Sequence, residues 1–260
     1  MFSRFRPDNC LAALALLFAA GAMAQPGEVD AGSGVASADG GVASPDGGPP
    51  LTAVDAGVPP GSYNYTETFE RFAPGSPPEG FLYRRTGKGL PARWQIREVA
   101  RAPSPTHVMA QVDADRTDPR YPQALLDNYS IRDVRLSARC RVLSGRDERS
   151  CGLVLRHKSE KAYYLVRLSV RDSNVCLLAV EEDGQKKIQR REIACAPATL
   201  ALWRWFGLTV SAKKNHLVVS LSGKQLLEVD DATYPDAARV GLWTGNDSVA
   251  EFDDVRADQL

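Results

Sequence analysis

The sequence predicts an all-β fold, an antiparallel two-sheet jelly-roll sandwich, and three observations carry that expectation. From Cys151 onward the segments CGLVLRHK, YYLVRLSV, VCLLAVEEDG, WFGLTVSA, HLVVSLSGKQLLEV and ARVGLWTGNDSVAEFDDV follow one another with only short polar turns between them. They are rich in Val, Leu, Tyr and Trp, and Gly, Asp or Asn interrupts them at spacings of about eight to twelve residues, as in sandwiches and jelly rolls. No stretch sustains a helical period strongly enough to suggest βα units.

Taken in chain order, residues 1–24 read as a secretory signal peptide. Arg4 and Arg6 precede an apolar run from Cys10 to Ala22, and Ala22-Met23-Ala24 offers a small-residue cleavage site before Gln25. The run is shorter than the ~20 residues of a bilayer span, so removal rather than membrane insertion is expected. Cys10 stands at the head of the run, not behind it where a lipidated cysteine would stand. Residues 25–61 contain no Lys, Arg or aromatic and consist almost wholly of Asp, Ala, Gly, Ser, Val and Pro. Such a segment buries too little apolar surface to offset its ordering entropy, so a disordered, hydrated linker is expected. Residues 62–260 form one domain. The whole chain is neutral, and with the leader at +1 and the linker at −5 this domain holds +4, too mild a balance to suggest nucleic acid.

Within the domain, YNYTETFERF reads as a first strand. GSPPEGFLYRRTGKGLPARWQIRE reads as a Pro- and Gly-broken loop ending in a strand at Trp94 to Glu98, and THVMAQVDA alternates as the next strand. Residues 113–130 read as polar loop with a short apolar piece at Ala124 to Leu126, and strands dominate from Ile131 onward. PATLALWRWFG is a loop leading into a strand, because Pro197 opens it and LTVSA follows.

Four cysteines remain after leader removal, an even number in an exported chain, which suggests two disulfides. Cys140 shares parity with Val134, Leu136 and Ala138, and Cys151 with Leu153 and Leu155, so both point to the core across a short loop. Cys140–Cys151 is the expected pair. Cys176 and Cys195 then fall on the arms of a hairpin turning near Asp183-Gly184, close together if a bulge corrects the register. No C-x-x-C spacing supports a metal site at these cysteines.

The run from Gly152 to Lys187, Trp205 heading a strand, and GKQLLEVDDATYPDAARVGLWTGNDSVAEFDDV resemble the concanavalin A-like lectin/glucanase sandwiches. More closely, the chain resembles bacterial exported domains described as family 16 glycoside hydrolase-like and related to the 3-keto-disaccharide hydrolase domain of unknown function. The likeness spans residues 66–258 and is most specific at YYLVR and at VGLWT followed by DS and FDDV. Where that family often has Asn after the strand arginine and Lys after WT, this chain has Ser169 and Gly245, so contacts at those two positions do not carry over. The resemblance implies either carbohydrate binding or glycoside hydrolysis.

The residues favour binding. Family 16 glucanases that retain configuration need two carboxyls about 5 Å apart, supplied by an E-x-D-x-x-E strand that this sequence lacks. The acidic clusters VEEDG, EVDDAT and EFDDV read instead as turn, strand-exit and edge carboxylates. With Leu153 and Leu155 facing inward, Val154 and Arg156 face outward. Tyr163, Leu165 and Arg167 share that outer face, and Trp243 joins them while Val240 and Leu242 go inward, with Asp247 just beyond. Aromatic rings stack on sugars and Arg and Asp satisfy hydroxyls, so Arg156, Tyr163, Arg167, Trp243 and Asp247 form the expected glycan platform. The alternative is that Arg156, Arg167 and Asp247 are an ion-pair network stapling the sheet.

Asp253 and Asp254, with Glu67 or Glu70, offer an oxygen-rich structural Ca²⁺ site, or else serve as edge-strand charges; no other cofactor is expected. His107, His157 and His216 are scattered singly and read as surface or loop residues, while Trp94 and Trp205 read as core. The expected protein is therefore an exported, monomeric, noncatalytic module for a polysaccharide or cell-surface glycan, in the periplasm, on the cell surface or outside. A glycan-cleaving or glycan-modifying enzyme is the alternative, and a structural or protein-binding sandwich the second.

Overall fold

The computed structural model describes residues 64–260; the expected leader, residues 1–24, and the expected linker, residues 25–61, lie outside the described residues. Short alternating segments separated by polar turns become β1 (Asn64–Glu67), β2 (Phe81–Gly87), β3 (Trp94–Val99), β4 (Thr106–Gln111), β5 (Arg120–Ile131), β6 (Val134–Ser144), β7 (Ser150–Ser159) and β8 (Ala162–Ser169). They continue as β9 (Asn174–Glu182), β10 (Ile188–Pro197), β11 (Phe206–Lys213), β12 (His216–Leu221), β13 (Lys224–Asp230), β14 (Ala238–Thr244) and β15 (Val249–Gln259), with no helix among the described residues.

Two antiparallel sheets result. One runs β13-β12-β11-β6-β15-β4-β3, with β1 added on β15, and the other runs β10-β9-β8-β7-β14-β5-β2. Alternation sends Leu136, Ala138, Cys140 and Val142 of β6 toward Leu153 and Leu155 of β7, and Phe252, Tyr164, Val166 and Leu242 complete a continuous core between the sheets. Cys140–Cys151 is bonded and ties β6 of one sheet to β7 of the other. Cys176–Cys195 is bonded too, its residues directly opposite on the β9/β10 hairpin, and the register does shift between Glu192 and Ala194.

Two loops expected from sequence are strands. Phe81–Gly87 pairs along its whole length with Leu126 back to Arg120. Residues 120–131 form a long strand held by neighbours on both sides, β14 and β2. Pro122, Asp127 and Arg120 hide its apolar period, and the sheet imposes the extended conformation that local propensity does not. The first strand is shorter than expected. After Glu67 the chain turns, with Phe69 at φ +66° and buried in the core.

Strand direction sorts the loops. The connections 88–93, 112–119, 145–149, 170–173, 198–205 and 245–248 all lie at one end of the sandwich, here called the loop end.

Candidate ligand site at the loop end

The face of the seven-stranded sheet turned away from the core carries the side chains that parity assigns to it. One cross-strand row contains Cys176, Arg167, Gly152, Trp243 and Gln123, and the next contains Leu178, Leu165, Val154, Gly241 and Leu125. This face is not an open platform. Tyr163 on β8 and Thr86 on β2 are separated in the sheet by β7, β14 and β5, yet their hydroxyls lie 3.0 Å apart. The guanidinium of Arg190 on β10 sits 4.7 Å from the ring centre of Tyr121 on β5. The sheet therefore rolls around its own face, and Tyr121, Leu125, Val154, Tyr163, Leu165 and Trp243 fill the roll as a second apolar cluster.

Two glycines allow this. A Cβ on Gly152 would lie 2.5 Å from the Val166 carbonyl oxygen and 3.4 Å from the Trp243 ring, and one on Gly241 would lie 2.3 Å from the Ala124 carbonyl oxygen.

The expected platform is thereby corrected. Tyr163 and Trp243 lie on the assigned face but are fully buried, so neither offers a ring to a sugar. Arg156 leaves the alternation altogether. It sits at φ +48° where the β7/β8 register breaks, and its guanidinium donates to the backbone carbonyls of Tyr234 (2.8 Å), Arg132 and Lys214. It spends four of its five N–H donors on chain turns from three places and is fully buried, so it faces no ligand. Asp247 is buried and also a scaffold, its carboxylate accepting from the backbone N–H of Arg146 at 2.6 Å, Asp147 at 3.0 Å and Glu148 at 2.9 Å.

Arg167 remains. It lies at the mouth of the roll, in a polar pocket at the loop end that Arg190, Glu148, Asp172, Arg171 and Asp147 line with it, and that Arg116, Asp118 and Asn246 close. Glu148 Oε1 accepts from Arg190 at 2.7 Å and lies 3.8 Å from Arg167, while Arg167 also reaches Asp172 at 3.1 Å. Ser169 Oγ donates to Asp172, 2.9 Å. Arg116 forks onto Asp147 through contacts of 2.6 and 2.9 Å, and Arg171 donates to the Asp147 carbonyl.

Burial works against the charge on Arg190, yet Glu148, helped by Tyr121, holds its pKa above the ordinary value. Burial and the neighbouring Arg190 pull Arg167 below its own. The hydrogen bond from Arg116 lowers Asp147.

Glycine at position 245 makes room for Glu148: a Cβ there would sit 2.3 Å from its carboxyl carbon. Glu148 Oε2, Ser150 Oγ and Thr244 Oγ1 are buried beside it and have no hydrogen-bond partner among the described residues. Behind the pocket, the fully buried Arg120 donates to the carbonyls of Asn246 (3.0 Å) and Leu90 (3.1 Å) and lies 3.4 Å from Asp113, locking three loops together. Neither Arg120, Glu148 nor Arg190 is among the residues that strand parity singles out. For Arg120 and Glu148 a signal was present in the charged turns SGRDERS, VRDSN, DADRTDPR and GNDS, which share one end once the strand order is known.

The carboxylates considered for calcium do not converge. Glu67 accepts from Phe69 N–H (2.8 Å) and pairs with Arg71, Asp253 accepts from Ser104 N–H at 2.8 Å, and Asp254 pairs with Arg139 and Ser104. Glu70 accepts from His107 N–H. The one group of His, Cys, Asp and Glu side chains close enough for an ion among the described residues is Cys176, Glu192 and Cys195, and both cysteines are consumed by the disulfide. His157 also departs from expectation. It is buried against the Tyr163 ring, with centroids 5.2 Å apart, and burial lowers its pKa to about 4. Trp94 is core as expected, while Trp205 is half-buried beneath Arg141.

No family model matches the chain, and no curated protein matches it. Among solved structures the chain is similar to the carbohydrate binding module CBM66 from Bacillus subtilis, at 16% identity and a TM-score of 0.50, over 64% of this chain and 95% of that one. It also aligns with the exoplasmic/lumenal domain of VIP36 in its Ca²⁺/Man3GlcNAc-bound form (11% identity, TM-score 0.46, 65% of this chain and 85% of that one). A protein of unknown function with a galectin-like fold from Bacillus subtilis aligns at 11% identity and a TM-score of 0.39, over 65% and 89% of the two chains. The first of these matches the sandwich architecture, which fits the concanavalin A-like fold.

Proposed function

We propose that this protein is an exported, noncatalytic carbohydrate-binding module whose ligand site is the charged pocket at the loop end. The observation that carries the reading is the alternation of guanidinium and carboxylate around Glu148: Arg190, Arg167, Asp172, Arg171, Asp147 and Arg116 follow one another around one mouth. Such pairs present donors and acceptors side by side, as vicinal hydroxyls require, and the partnerless oxygens of Glu148 and Ser150 add unmet capacity beneath them. The shared architecture with a carbohydrate binding module agrees with this use of the fold, and the two disulfides agree with an oxidising, extracytoplasmic compartment. Binding rather than hydrolysis is favoured because a glycosidase general acid must hold a proton, whereas an arginine-paired carboxylate such as Asp147 is kept ionised.

The test is retention of the purified protein on a panel of insoluble polysaccharides and cell-wall preparations, with released reducing sugar assayed in the same tubes. Retention without release is expected, and Asp172→Ala, at a half-exposed rim position, is expected to lose it with an unchanged melting temperature. Sugar release would reinstate the hydrolase. Failure to bind any of the polysaccharides would leave the pocket as a structural ion-pair network.

A further inference from the structure

Among the described residues three large hydrophobic side chains are exposed, and two of them, Leu90 at 66% and Trp203 at 63%, sit in connections at the loop end; the third is the C-terminal Leu260. Trp203 is the more unusual. Tryptophan is seldom so open, and this one occupies φ +64°, a left-handed conformation that suits Gly or Asn far better. The fold gains little packing from an indole left in solvent, so the strain has no return within the domain.

The backbone around it is nevertheless held firmly. Trp203 N–H donates to the carbonyl of Val142, 2.9 Å, and five residues earlier Ala198 N–H donates to the carbonyl of Ser173, also 2.9 Å. Val142 lies at the end of β6, just before the loop that carries Asp147 and Glu148. Ser173 follows Asp172 in the next turn. The connection 198–205 is thus fastened at one point to the end of β6 and at another to the 170–173 turn, and it leaves an exposed indole at the same end of the sandwich as the charged pocket. Leu90 is fixed on the loop end as well, its N–H on Asp115 at 2.7 Å and its carbonyl on buried Arg120 at 3.1 Å.

We infer that Trp203 is a stacking platform that extends the charged pocket into a site for a glycan chain of several sugar units. This rests on the carbohydrate reading of the pocket. The pocket would take the hydroxyls of one sugar, and the apolar face of a neighbouring ring would lie on the indole, so Trp203 sets a preference for polymer over monosaccharide. Trp203 is a positioning and specificity residue, separate from the polar groups that hold the first sugar.

The experiment uses the soluble form of whichever polysaccharide retains the protein, its oligosaccharides of two to six units and its monosaccharide, titrated calorimetrically against wild type, Trp203→Gly, Trp203→Phe and Asp172→Ala. The expected result is a loss of about tenfold to thirtyfold in affinity for the longer chains in Trp203→Gly, with no change for the monosaccharide. Trp203→Phe should recover part of that loss, and Asp172→Ala should weaken all ligands alike. Acrylamide quenching of the exposed indole in wild type should fall when the polymer is bound. Equal polymer affinity in wild type and Trp203→Gly would overturn the inference while leaving the pocket standing. Absence of glycan binding by the wild type would remove both. Binding to phosphatidylcholine vesicles that depends on Trp203, without a change in polymer affinity, would reassign the indole to a lipid surface and overturn the inference.

Discussion

The inside of the rolled sheet and the pocket at its mouth are built on the same strands, and one row of residues runs from one to the other, yet their side chains serve opposite ends. Within the roll, Tyr163 and Trp243 are sealed, and Tyr163 is tied to Thr86 across the curl. At the mouth, two residues farther along β8 from Leu165, Arg167 meets Glu148 and Asp172 at a surface that remains open. The difference teaches that the face a side chain occupies is a local property, set by alternation, whereas its exposure depends on how far the sheet curls, a property of the whole sheet. Aromatic residues are therefore poor guides to a binding face when the face can close on itself.

The largest break of that contrast is Trp243→Ala. If the roll is a second core, removing its largest side chain costs about 3–5 kcal/mol and brings a clear fall in the midpoint of chemical denaturation. A variant that keeps wild-type stability but loses polysaccharide retention would instead return Trp243 to the ligand and reopen the inner face as the site.

The alternation of β7, β8 and β9, both disulfide pairs and the bulge in the β9/β10 hairpin were legible from sequence because each depends on neighbours within a few residues or on one hairpin. β5 was not, since Arg120, Pro122 and Asp127 mask its period and its extended form depends on β14 and β2 from distant parts of the chain. Among the site residues, Arg167 could be placed by parity. Arg156 could not, because a bulge with positive φ rotates it to the carbonyls of Tyr234, Arg132 and Lys214. Glu148 emerges only when six loops are assigned to one end, which requires the strand order, and Arg190 of β10 only when the sheet rolls and brings it over Tyr121 of β5.

A smaller effect comes from pH inside the roll. His157 packs on Tyr163, and burial, aided by the charges of Arg239 and Arg84, lowers its folded pKa from 6.5 to about 4. The unfolded chain then binds more protons than the folded one, so this stability is complete above about pH 6.5 and is lost as pH falls toward 4, about 3 kcal/mol in all. His157→Phe keeps a ring against Tyr163 and removes the titration. Its stability relative to wild type, from urea denaturation at pH 7 and pH 4.5, should shift in the variant's favour at the lower pH. Parallel behaviour at both values would mean that His157 is solvated and that the roll is open there.

The most discriminating change has the smallest effect on folding. Asp247 belongs to neither region: it touches no ligand in the proposed site, yet it accepts three backbone N–H groups of the loop that carries Asp147 and Glu148. Asp247→Asn keeps the shape and one acceptor oxygen but removes the charge and turns the other oxygen into an NH2 donor facing backbone N–H, so at least one bond to that loop is lost at a cost of about 1–3 kcal/mol. Retention on polysaccharide should fall by more than that stability loss accounts for, because Glu148 is positioned by the loop and Arg190 by Glu148. Trp243→Ala should show the reverse proportion, a large loss of stability with the ligand affinity of the remaining folded protein little changed. If Asp247→Asn loses stability and affinity in the same proportion as Trp243→Ala, the mouth and the interior are one cooperative unit, and the separation of a sealed core from an open site fails.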